Sequence, residues 1–154
     1  MIPGVLVLTL LALPAPSQLA LESEPGWLDP PLPQSALEAE ARRFAQAWSN
    51  GDVQTLAGAL HPEGIRLNLP DEAHMRIQPR QAQAAIRSFL QRHPGGDARV
   101  TRVSLAGGDP HKGFAEIRWR ARAQGIGEPV LFTIFVAFSL ESGGWRVTEI
   151  RVFL

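Results

Sequence analysis

Trp48, Asp52 and His61 fall within one short segment, AWSNGDVQTLAGALHPEG, running from Ala47 to Gly64. A carboxylate and an imidazole beside an aromatic ring are the parts of a general acid/base site. The same residue types are also parts of a scaffold. Asn50-Gly51 suits a helix stop, and Asp52 is a favoured N-cap whose carboxylate satisfies free backbone N–H groups. His61 precedes Pro62, which pushes it out of helical geometry. We read the segment as cap, stop and core tryptophan.

The remaining chemistry-bearing residues are scattered. His61, His74, His93 and His111 each stand beside a turn or a helix end, with no H-x-x-x-H or comparable ligand spacing. No metal and no cofactor are implied. A folded chain can still bring His61 or His93 to a cavity mouth. In the last strand Trp145, Val147, Glu149, Arg151 and Phe153 are expected on one face. Glu149 and Arg151 then form either an ion pair on the outer face or a polar feature inside a cavity. Pointing inward, they would grip a ligand against apolar walls supplied by Trp48, Phe89 and Trp119. The candidate ligand-binding set is therefore Trp48, His61, Phe89, Trp119, Glu149 and Arg151. None of these is assigned a catalytic role.

The stretch FAEIRWRARA places Glu116, Arg118, Arg120 and Arg122 on one face, opposite Ala115, Ile117, Trp119 and Ala121. We expect Trp119 in the core and the arginines on the convex face, paired across strands with acids. A basic stripe for an anionic partner is the sharper alternative. The next strand, Val130 to Phe138, is apolar on both faces. A sheet with one wet face should alternate, so something covers it. We expect a homodimer packed through the convex sheet face.

These residues need elements to hold them. Leu37, Ala41, Phe44 and Trp48 form one helical stripe, entered at Ser35 through a capping-box pattern with Glu38. A short second helix follows Asp52. Ile65–Leu69 alternates as a strand, and His74–Gln78 is its weaker returning partner. Pro79 opens a third helix carrying Ala82, Ala85, Ile86 and Phe89 inward, and Pro94-Gly95-Gly96 closes it. Four long strands follow, over 100–105, 113–123, 130–140 and 145–154, joined by GGDPHKG, Gly125–Glu128 and ESGG. Short connections imply antiparallel hairpins.

The 154 residues suffice for one domain with a real core. Fifteen basic and fifteen acidic side chains cancel, which gives no case for nucleic acid or an anionic membrane. There is no cysteine, hence no disulfide and no thiol chemistry. Val5–Leu13 is an apolar run of signal-peptide length, followed by small residues at Ala15, Ser17 and Ala20. No basic residue precedes it. We expect residues 1–20 to be a signal peptide, 21–34 a proline-rich linker and 35–154 the domain. The protein is then exported, periplasmic or extracellular, with no membrane contact after cleavage. An uncleaved segment would leave it anchored.

The element order, the helix–NGD–helix opening at Asn50–Asp52, LHPEG at Leu60–Gly64, GFAEIRW at Gly113–Trp119 and the closing GGWRVTEIRVF resemble the nuclear-transport-factor-two-like, or SnoaL-like, superfamily. The likeness covers Ser35 to Leu154. The stretch LNLPDEAHMRIQPRQAQAAIRSFLQRHP further resembles a secreted bacterial group of unknown function. The resemblance implies an α+β cone, α-α-β-β-α-β-β-β-β, with a curved antiparallel sheet wrapped on three helices. It also implies that any enzyme site lies between the helices and the concave sheet face. Isomerases of the superfamily resemble one another in using a carboxylate on the strand after helix two, opposed by a tyrosine and a protonated acid. Here that strand, IRLNL, has no acid, and the chain has no tyrosine. The expectation is a noncatalytic domain binding a small apolar or amphipathic ligand or a protein partner. A SnoaL-like lyase or isomerase with a His- or carboxylate-based site is the alternative.

Overall fold

A computed structural model describes residues 33–122 and 127–154. The expected signal peptide, most of the linker and part of the connection after residue 122 lie outside the described residues. The first helix, α1, spans Pro33–Asn50. It begins two residues before the expected Ser35 cap, so Ser35 sits inside the first turn. Proline suits that position, because its fixed φ is already helical and its missing N–H would have had no partner. The stripe Leu37, Ala41, Phe44 and Trp48 is buried as expected. α1 ends with Gly51 at φ 67, where Asp52 N–H donates to Ala47 O at 2.8 Å and Gly51 N–H to Trp48 O at 3.2 Å.

Asp52 then caps α2 (Val53–Ala59). Its Oδ1 accepts from Thr55 N–H at 3.1 Å and its Oδ2 from the Thr55 hydroxyl at 2.6 Å. β1 (Ile65–Leu69) and β2 (Glu72–Ile77) form a hairpin. α3 (Pro79–Arg92) starts at its proline, with Gln81 Oε1 accepting from Gln78 N–H at 3.2 Å. The remaining strands are β3 (Asp97–Ala106), β4 (Asp109–Arg122), β5 (Pro129–Glu141) and β6 (Gly144–Phe153). The GGDPHKG connection is shorter than its sequence suggests: Gly107-Gly108 alone turn the chain, and Asp109–Lys112 already belong to β4.

All six strands form one curved sheet in the order β2-β1-β6-β5-β4-β3. It is mixed rather than wholly antiparallel, because β1 runs parallel to β6 through Arg66–Glu149, Leu67–Ile150 and Asn68–Arg151. The three helices pack on its concave side. There Ala115, Ile117, Trp119 and Ala121 of β4 meet Phe132, Ile134, Val136 and Phe138 of β5, all buried. Each such large apolar side chain contributes about 1.5–3 kcal/mol by leaving water.

One register feature corrects the expected face of β6. Ala137 pairs with Glu149 but Phe138 with Val147, so Thr148 is an extra residue on β6, a bulge. The alternation reverses there. Trp145 and Val147 face inward on one side of the bulge, and Ile150 and Val152 on the other. Glu149, Arg151 and Phe153 consequently stand on the convex face.

Candidate functional site

The six candidate ligand residues divide into two places. Trp48, Phe89 and Trp119 converge. Their ring centroids lie 6.3 Å (Trp48–Phe89), 5.6 Å (Trp48–Trp119) and 5.8 Å (Phe89–Trp119) apart. Phe132 stacks on Trp119 at 5.0 Å and Phe44 on Trp48 at 5.9 Å. These rings fill the space between helices and sheet. Among the described residues no polar or charged side chain is buried there.

His61, Glu149 and Arg151 do not join them. His61 lies at the α2–β1 end, where Glu63 N–H donates to its Nδ1 at 3.2 Å. In the neutral ring this leaves Nε2–H to donate to Glu141 Oε1, also at 3.2 Å. Glu141 also accepts from the Ser139 hydroxyl at 2.9 Å. Those two donors, Ser139 first and His61 second, hold its carboxyl below the usual range. Glu149 accepts from Arg151 Nε and faces Arg66 Nη1 at 3.8 Å, an ion cluster on the outer face. With Arg66 and Met75, His61 and Glu149 line a shallow outer cleft. Of the two readings of Glu149 and Arg151, the outer-face ion pair is the one observed, because the Thr148 bulge turns both outward; the alternative, a polar grip within apolar walls, is not assembled.

The aromatic cluster has an opening of its own. A cleft of about 450 Å³ lies between the α1–α2 turn and the end of α3, lined by Trp48, Val53, Arg87, Leu90, His93 and Trp119. Trp48 and Trp119 are each 1% exposed, and neither indole Nε1 has a hydrogen-bond acceptor. A buried donor left unpaired costs about 1–3 kcal/mol. Trp145 Nε1 is unpaired as well, in a separate groove beside Phe44 and Arg146.

His93 completes the mouth. It is the C-cap residue of α3, and its Nδ1 lies 3.0 Å from Phe89 O, positioned to donate to it. The imidazole sits 4.6 Å from the Phe89 ring and 5.2 Å from Phe132. Its only signal in the sequence is its place just before the Pro-Gly-Gly stop. The rim is tied down by Ser49, whose hydroxyl donates to Gly96 O at 3.0 Å and accepts from Ala98 N–H at 3.1 Å. On the far side Arg92 lies over Phe89 at 5.9 Å and donates to Asp71. That bond holds the Asp71 carboxyl below its ordinary range.

The rim carries an imidazole, His93, and a guanidinium, Arg87, and behind it lie the buried aromatic rings with two unpaired indole N–H donors shielded from solvent. Among the described residues the site contains no buried base with which to abstract a proton, and no cluster of side chains suited to a metal ion.

No protein-family model and no curated protein matches the chain. Solved structures do. A DUF4783 family protein from Bacteroides uniformis superposes with a TM-score of 0.61 at 16% identity, over 72% of this chain and 93% of that one. A hypothetical protein from Catenulispora acidiphila with a ketosteroid isomerase-like fold, solved in complex with trimethylamine, gives 0.59 at 12% identity, over 73% and 82%. An LEH-like epoxide hydrolase from M. tuberculosis gives 0.54 at 20% identity, over 76% and 80%. The chain has the nuclear-transport-factor-two-like cone fold. At these identities the likeness is one of fold, and cones of this shape host unrelated functions.

Proposed function

We propose that the chain is an exported, noncatalytic cone domain that binds a small apolar or amphipathic ligand at the mouth between α1, α2 and α3. The supporting observation is the combination of an uncharged, ring-filled interior with two unpaired indole N–H groups buried just behind one cleft, which a ligand reaches by displacing the rim side chains. A ligand acceptor reaching either N–H supplies a missing hydrogen bond in a low-dielectric site, where such a bond is stronger than in water. Arg87 at the rim favours an anionic acceptor. The same reading seats a second copy of the chain on the convex face, against Phe135 and Phe153.

The rival reading, a lyase or isomerase, draws on the epoxide hydrolase of like fold. Its titratable pair would be His61 and Glu141, whose side chains are 18% and 46% exposed, away from the ring cluster. A proton-transfer site there would lack the dry enclosure that strengthens such chemistry, so binding is the better-supported reading.

Anilinonaphthalene sulfonate, an apolar ring system bearing an anionic acceptor, is a suitable probe. Titration followed by energy transfer from tryptophan is expected to saturate. Trp48→Phe and Trp119→Phe keep a ring and remove one donor, and each should weaken binding about fivefold, the worth of one hydrogen bond. Trp145→Phe should leave it unchanged. A signal that never saturates, or one indifferent to Trp48→Phe and Trp119→Phe, would overturn the proposal.

A further inference from the structure

The convex side of β4 carries a row of charges that the mouth does not use. Arg118, Arg120 and Arg122 are all exposed and stand on one face. Asp97 of β3 stands opposite Arg120, the cross-strand placement expected, but it bonds Arg99, and among the described residues none of the three arginines has a carboxylate within 4.0 Å. Glu116, the acid of the same row, instead accepts from the Thr101 hydroxyl, at 3.4 Å. Arg99 of β3 stands directly opposite Arg118, and its own partner is Asp97 at 2.6 Å. Like charges opposite one another destabilise a sheet. With fifteen acids available to balance fifteen bases in the chain, this concentration is local.

We propose that this face of β3 and β4 docks an extended acidic protein segment. Same-face residues of a strand repeat about every 6.8 Å, and so do the side chains at every second position of any extended peptide. A peptide with carboxylates at alternate positions, laid along β4, meets Arg118, Arg120 and Arg122 in register, each as a charge-assisted pair.

The neighbouring strand supplies an apolar border. Pro129 pairs with Arg122 and Leu131 with Arg120, and Leu131 is 53% exposed. A groove of about 500 Å³ runs along the row, bounded by Arg99, Thr101, Arg118, Arg120, Pro129 and Leu131, with one acid, Asp97, whose carboxylate is taken up by Arg99. It carries no aromatic platform. Sugars and single-stranded nucleic acids are commonly gripped by stacking on such platforms, so the alternation of guanidinium, proline and leucine favours a polypeptide. A second copy centred on β3 and β4, instead of on Phe135 and Phe153 of β5 and β6, would bring its own arginines against these.

The test uses the full chain and a fluorescent peptide of alternating Glu and Thr, followed by anisotropy at low and moderate salt. Saturable, salt-weakened binding is expected. It should fall about tenfold or more in Arg118→Gln/Arg120→Gln, the loss of two charge-assisted contacts. Arg76→Gln/Arg80→Gln, two exposed arginines elsewhere, should bind as the parent does. The Gln-Thr peptide should not bind. Equal loss in both double variants would mean a nonspecific charge effect and overturn the docking site. So would tighter binding of an oligogalacturonate than of the peptide, which would make the partner a polysaccharide. Loss of self-association in Arg118→Gln/Arg120→Gln would assign the face to a second copy and refute the peptide.

Discussion

Thr55 controls how firmly Asp52 holds the start of α2. Its hydroxyl and its backbone N–H, in that order, pull the Asp52 carboxyl below its ordinary value of 3.8. A carboxyl with a lowered native pKa is less willing to take a proton when folded than when unfolded. The stability it confers is therefore complete above the unfolded value and drains away as the pH falls through the native one. Thr55→Val removes the larger of the two contacts. Urea midpoints measured from about pH 5 down to pH 2 should decline less steeply in Thr55→Val than in the parent. Parallel declines would show that the cap carries no such linkage. Asp71 and Glu141 act with the same sign through Arg92 and Ser139, so part of the acid sensitivity will persist in the variant.

Among the elements, the turn from α3 into β3 is the most constrained. Gly96 has φ 122, and a Cβ placed on it would lie 2.2 Å from Arg120 O and 2.8 Å from Trp119 Nε1. The first contact is with backbone and cannot swing aside. Gly96→Ala combines backbone strain with overpacking and should destabilise the protein by about 2–4 kcal/mol. Urea unfolding checks this, and a loss below about 1 kcal/mol would mean that the turn is free to shift. That closeness, which packs the turn against Trp119, was invisible in the sequence; Pro94-Gly95-Gly96 signals only a stop. Other elements were plain. Leu37, Ala41, Phe44 and Trp48 recur at helical spacing, and Ala115, Ile117, Trp119 and Ala121 alternate without interruption, so both faces could be assigned from period alone. β6 could not, because Thr148 adds one residue and every side chain beyond it changes sides. Nor could the parallel pairing of β1 with β6, which joins strands distant in sequence, while short connections report only neighbours. The placement of the candidate ligand residues divides the same way: Trp48, Phe89 and Trp119 lie on regular elements and meet, whereas Glu149 and Arg151 lie past the bulge and face outward. His93, which does reach the mouth, is held there by the Phe89 carbonyl, a contact no spacing rule announces.

The described part of the chain presents a ring-filled interior and two faces on which our proposals place partners: the mouth beside Trp48 and Trp119, and a convex surface of mixed arginine and apolar character. Leu131 and Phe153, at 53% and 49% exposure, are among its large exposed apolar groups, with Met75 and Leu154, while Phe114 and Phe135 stack on each other at 5.4 Å. Phe153→Asp should convert a dimer seated there to a monomer in light scattering at micromolar concentration; a parent already monomeric would remove the second copy from the picture. The indole N–H signals report directly on ligand binding at the mouth. In a nitrogen–proton correlation spectrum titrated with anilinonaphthalene sulfonate, the Trp48 and Trp119 Nε1–H peaks should move together along one saturable curve and the Trp145 peak should stay in place. Stationary Trp48 and Trp119 peaks, with shifts confined to the side chain of His61, would contradict it.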